Sequence, residues 1–228
     1  DGLGSMRADE EMFGYLEANG VQVKEYGDPV SQFWDINDRW HEKHLIVDQT
    51  VSIEGGMNIA NEYALGGSGR MVFSRSENAE EPWRDLDVQL EGPVVADTVD
   101  AFRRNWETLG GGHIKLHRPE EEVMRPLESG TPVRFVQHRP EEDGDQNTRN
   151  VHLQAIRSAT ESIVIENAYF LPPAQLQNAL LNAARRGVKI RIMTNSREST
   201  DFGIVSDAAR YYYEDLVDAG VEIYEKQG

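Results

Sequence analysis

Apolar positions change their period along the chain, and the changes mark out its elements. At residues 10–18 and 174–186 they recur at helical spacing, whereas 21–23, 133–136, 163–165 and 188–193 read as strands. Leu45-Ile46-Val47 and Val51-Ser52-Ile53 form a further pair of short strands, joined by a turn at Gln49-Thr50. Residues 208–219 are predicted as one helix, with Tyr211, Tyr212 and Tyr213 as packing and rim residues. Helix and strand signals alternate, which places the chain in the α/β class. Its 228 residues can bury a sizeable core, as one large domain or as two lobes. The charged, proline-bearing stretch 118–129 and the acidic stretch 140–150 read as connections between lobes.

A short repeat supports the two-lobe reading. Leu16-Glu17-Ala18-Asn19-Gly20-Val21 echoes Leu216-Val217-Asp218-Ala219-Gly220-Val221. Each copy reads as a helix end, a capping glycine and the start of a strand.

Charge narrows the partners. The formal net charge is -17 and the isoelectric point is about 4.7. Nucleic acid is therefore not the expected main substrate, because phosphate backbones demand basic surface. An anionic membrane would have to be met through a local patch. Arg103-Arg104 and Arg185-Arg186 are the candidate basic pairs, although ordinary solvated helix-surface arginines are the better reading of them. Cysteine is absent, so thiol catalysis and disulfides are excluded. No apolar run in the sequence is long enough to cross a bilayer.

The densest chemistry lies at His41-Glu42-Lys43-His44-Leu45-Ile46-Val47-Asp48, followed after six residues by Gly55-Gly56-Met57-Asn58. On a strand, His41 and Lys43 would point to one side, so a single phosphate could meet both the imidazole and the ammonium. His44, Ile46 and Asp48 would face the other way. Asp48 is then expected to fix the turn, and His44 is a poor candidate for the chemistry. Gly55 and Gly56 would let backbone approach a phosphoryl oxygen, and Asn58 can donate amide hydrogens to the same group. A neutral imidazole is a competent nucleophile toward phosphorus, and Lys43 and Asn58 would offset the charge that builds on the oxygens. A zinc site of the H-E-x-x-H kind is excluded, since Leu45 stands where the second histidine is needed. No metal and no cofactor is expected.

The spacing H-x-K-x4-D-x6-G-G-x-N resembles the HKD signature of the phospholipase D superfamily. Three further segments are similar to bacterial cardiolipin synthases: 83–95, 101–106 with its F-x3-W ending, and 167–173 followed by 183–192. The resemblance implies an α-β-α sandwich: a first lobe at 1–118, a connection at 119–150, and the start of a second, pseudo-repeated lobe at 151–228. It implies phosphatidyl transfer through a phosphohistidine, with a phosphatidylglycerol-like lipid as substrate and the membrane surface as partner in the parent protein. His41 would be the nucleophile, Lys43 and Asn58 phosphate ligands, and Asp48 the third signature residue. Asp85, which matches an aspartate in the family's W-x-D segment, is the candidate for fixing the tautomer of His41. Asp87, two residues on, could face the same pocket.

The family pattern has two such motifs, and one is found here. Of the six histidines only His41 and His113 are followed by lysine two residues later. His113-Ile114-Lys115 follows three glycines in a predicted loop, has Glu120 in place of the aspartate, and lacks the G-G-x-N, so it reads as a decoy. The second copy of the repeat reaches Gly228 where its own motif would be due, and Asp1 to Ser5 reads as a loop leaving a missing strand. The chain is expected to be a fragment, its second histidine supplied by the missing region or by a dimer mate. Two other readings compete: a single-motif dimeric nuclease, and a catalytically silent fragment that binds phosphate or lipid. Association with the cytoplasmic membrane is implied by the resemblance alone.

Overall fold

The computed structural model describes residues 10–26, 40–59, 63, 84–115, 128–139, 146–200 and 203–227. These combine helices and sheets in two compact units, one drawn from residues up to 63 and 84–135, the other from residue 136 onward.

The first unit holds α1 (Glu10–Ala18), β1 (His44–Val47), β2 (Val51–Gly55), β3 (Asp87–Glu91) and α2 (Val95–Thr108). Its strands form an antiparallel sheet in the order β1-β2-β3. The β1–β2 turn centres on Asp48 and Gln49, both at positive φ (51° and 57°), and Thr50 N–H donates to Val47 C=O at 3.1 Å. Positive φ at both central residues is the pattern of a type I′ turn, which matches the twist of a tight hairpin. The turn thus lies one residue earlier than the sequence predicts. Ile46 pairs with Ser52, and Ser52 with Leu90, so these three share one face, and Ser52 is fully buried on it. α2 packs on β1 and β2, burying Val95, Thr98, Val99 and Ala101. Phe102 and Trp106, one helical turn apart, stack at 6.0 Å, and the Trp106 indole donates to Gly111 C=O at 2.7 Å.

The second unit runs α3 (Asn147–Ser158), β4 (Ser162–Glu166), α4 (Ala174–Arg185), β5 (Lys189–Asn195), α5 (Gly203–Arg210), α6 (Tyr213–Asp218) and β6 (Glu222–Lys226). Its sheet is parallel, in the order β4-β5-β6. Leu153, Ile156, Leu180, Ala183, Ile190, Ile192 and Leu216 form its core. β5 alternates exposed and buried residues, so only one face of the sheet is filled. Val164, Arg191, Met193 and Tyr224 stand on the open side, where the Arg191 guanidinium donates to Glu222 at 2.9 Å.

Several expectations are corrected. Residues 21–23 and 133–136 join no sheet. Val21 is 46% exposed and Val133 51%, so neither gains the burial that draws β-branched residues into a sheet. The single helix expected at 208–219 is two, α5 and α6, broken at Tyr211-Tyr212, whose rings meet edge to face. Tyr211 is exposed and Tyr213 packs against the core. The two capping glycines do match: Gly20 (φ 84°) and Gly220 (φ 88°) each end a helix, with Val21 N–H donating to Leu16 C=O and Val221 N–H to Leu216 C=O. Among the described residues no helix is long and apolar enough to cross a membrane.

Arg186 closes α3. Its Nη2 donates to the carbonyls of Ile156, Arg157 and Ala159 at 3.1–3.2 Å, satisfying groups that the helix end leaves open. Arg185 reaches only Asn182, one turn back on its own helix. Arg186→Ala should therefore cost about 1 kcal/mol, discounted for exposure, and Arg185→Ala close to nothing. Urea midpoints at unchanged slope check both.

Candidate active site

His41 and Lys43 precede β1, in residues that form no ladder, and not on a regular strand as the parity argument assumed. They meet nonetheless. Lys43 Nζ lies 3.0 Å from His41 Nδ1 and donates to the His41 carbonyl at 2.7 Å. An ammonium has no lone pair, so it is the donor and Nδ1 the acceptor; a neutral His41 then carries its hydrogen on Nε2. Burial lowers the Lys43 pKa, while the Asp85 carboxylate pulls it back up.

Asp85 and Asp87 approach the glycine pair. Gly55 pairs with Asp87 across the β2–β3 ladder, and Asp87 Oδ1 accepts from Met57 N–H at 3.2 Å. Asp85 Oδ1 accepts from Leu86 N–H at 2.8 Å. A Cβ on Gly56 would fall 2.6 Å from Asp85 Oδ1; one on Gly55 would collide with the Asp87 carboxylate and come within 2.6 Å of Leu86 C=O. Both positions thus need glycine to admit these carboxylates. Gly55→Ala, blocked by backbone as well as side chain, should destabilise by about 1–3 kcal/mol. Gly56→Ala faces only a side chain that can swing aside, and should displace Asp85 from Lys43 at small cost in stability. Denaturant melts, with the Lys43 pKa followed by NMR, separate the two.

Asp48 is exposed in the hairpin turn, at the opposite end of β1 from His41 and Lys43. Asn58 donates from Nδ2 to the Tyr63 hydroxyl at 3.2 Å. His113 sits in an exposed loop, with Nδ1 3.0 Å from Glu107 Oε1. Trp83 and Glu120 lie outside the described residues, as does most of 118–129 and 140–150. Among the described residues no group of three His, Asp or Glu side chains is placed to hold a metal ion.

His44, a poor candidate on sequence grounds, has partners that the sequence does not reveal. Its side chain contacts Glu42 and Glu54, and Asn105 of α2 reaches the same Glu42 oxygen. The register that sets His44 opposite Glu54 follows from a turn one residue earlier than the sequence predicts, so the sequence carried no signal for this pair.

Residues 152–228 match the family described as cardiolipin synthase, PLD-like domain. A cardiolipin synthase of Halalkalibacterium halodurans is 30% identical over 227 residues, covering 99% of this chain and 42% of its own length. Cardiolipin synthase B of Shigella flexneri is 31% identical over 239 residues, covering 99% of this chain and 52% of its own. A probable cardiolipin synthase of Bacillus subtilis is 28% identical, over all of this chain and 43% of its own length. Over nearly its whole length the chain is thus similar to cardiolipin synthases, with the PLD-like match at residues 152–228, and it spans about half the length of the curated relatives it matches.

Proposed function

We propose that the chain carries one half of the active site of a cardiolipin synthase-type phosphatidyltransferase. The observation that carries this reading is the 3.0 Å approach of Lys43 Nζ to His41 Nδ1, at the start of an H-x-K-x4-D-x6-G-G-x-N spacing. A lipid phosphate entering here draws the Lys43 donors onto its oxygens and frees Nδ1. The ring proton then moves to Nδ1, with Asp85 as the candidate to hold it, and Nε2 attacks phosphorus. A P–N bond forms as the P–O bond to the glycerol head group breaks. The alkoxide takes a proton from a second histidine, the general acid, which lies on the other half of the site. The head-group hydroxyl of a second phosphatidylglycerol-like lipid then gives up its proton to that histidine and attacks the phosphohistidine. Lys43 and Asn58 offset charge on the equatorial oxygens, Gly55 and Gly56 leave them room, and Asp48 holds the turn.

In this reading residues 1–118 form the first lobe of an α-β-α sandwich, 119–150 the connection, and 151–228 the opening of a pseudo-repeated second lobe. The matching caps at Gly20 and Gly220 support the repeat. The protein works at the membrane surface on phospholipid. Phosphatidylglycerol vesicles with labelled phosphate test the function. Acid-labile, alkali-stable label should appear on the chain when the second motif is supplied, and its absence there overturns the reading.

A further inference from the structure

On the helix-covered face of the first sheet, where the neighbouring pair is Ile46 and Ser52, the register places His44 opposite Glu54. The side chains of His44 and Glu54 are 9% and 17% exposed. Nδ1 of His44 contacts Glu54 Oε2, and Nε2 lies 3.3 Å from Glu42 Oε2. Asn105 Nδ2 donates to that same Glu42 oxygen at 3.3 Å, and the Phe135 ring lies tilted 6.2 Å from the imidazole. An ionised carboxylate can only accept, so a ring with one on each nitrogen is doubly protonated: an imidazolium. Burial opposes that charge, but the bonds to Glu42 and Glu54 outweigh it and hold the His44 pKa above the ordinary histidine value. Those two carboxylates, from the segment before β1 and from β2, are the charged groups acting on the ring; α2 contributes the Asn105 carboxamide and residues 128–139 the Phe135 ring.

Glu42 stands between His41 and Lys43, in a segment with no ladder bonds of its own. Anchoring Glu42 to the His44 ring and to Asn105 restrains the backbone between His41 and Lys43, whose side chains meet. We propose that His44 is a positioning residue, its ring tying Glu42 to Glu54 and so holding His41 and Lys43 in contact. Its meaning for catalysis rests on the function proposed above, but the tie itself can be read without substrate. A raised folded-state pKa stabilises most below the unfolded value of 6.5, and that contribution fades as pH rises through the folded value. Alkaline conditions thus loosen the tie.

Histidine-labelled NMR of the chain tests this. In the wild type, His44 should titrate above 6.5 from a state with both ring nitrogens protonated, and an NOE should link the His41 ring to the Lys43 ε-methylene. Glu54→Gln should lower the His44 midpoint toward 6.5, abolish that NOE and shift the His41 midpoint. A merely structural role would leave the last two unmoved. Glu42→Gln, which touches no strand pairing, serves if the first variant does not fold. His44 titrating at or below 6.5 in the wild type overturns the proposal. So does an unchanged His41–Lys43 contact in a folded variant whose His44 midpoint has moved. Failure to trap label while these signals are present counts against the proposed function alone.

Discussion

His41→Ala should abolish the acid-labile label, to at least about a thousandfold below wild type, because it removes the imidazole proposed to form the P–N bond. His44→Ala keeps the label. It loses a tie and not a nucleophile, so the expected slowing stays within about a hundredfold, the scale of an ångström-sized misplacement. Lys43→Ala falls between, since it removes a charge that steadies the reacting phosphate but leaves the imidazole in place. Time courses of label on phosphatidylglycerol vesicles check all three. Equal rates in His41→Ala and wild type would end the nucleophile assignment.

The meeting of His41 and Lys43 was legible in the sequence, although its premise was wrong. Residues 41–43, expected to be strand, form none. The two side chains meet anyway, with Lys43 Nζ 3.0 Å from His41 Nδ1. The helices with continuous apolar stripes, α1 and α4, were read to within a residue of their ends. The strands at 163–165 and 188–193 were also legible, because alternating isoleucines fill one face of β4 and β5.

What the sequence concealed were effects of register and of partners distant along the chain. Val21 and Val133 have strand-forming side chains but no sheet partner, and propensity without burial does not make a strand. The approach of Asp85 and Asp87 to Gly55 and Gly56 depends on the β2–β3 ladder, which joins segments some 30 residues apart. The glycines were legible as a place of close approach, but not which groups would approach. Glu42, Glu54 and Asn105 read separately as solvated polar residues. Only the hairpin register and the docking of α2 bring them to one imidazole.

The second unit invites a test of which sheet face holds it together. Leu180 is fully buried in α4, within the cluster that includes Ile156, Ile190 and Ile192. Leu180→Ala removes that side chain and leaves a cavity, and should cost about 2–5 kcal/mol. Val164, on the opposite face of the same sheet, is 77% exposed, so Val164→Ala should stay within about 0.5 kcal/mol. Far-UV CD in urea reads the difference, and amide exchange locates it. Amides of Ile190 and Ile192 should exchange about a hundredfold faster in Leu180→Ala and at near wild-type rates in Val164→Ala. A comparable loss from both variants would mean that the open face is covered in solution, because only a buried valine has that much stabilisation to lose.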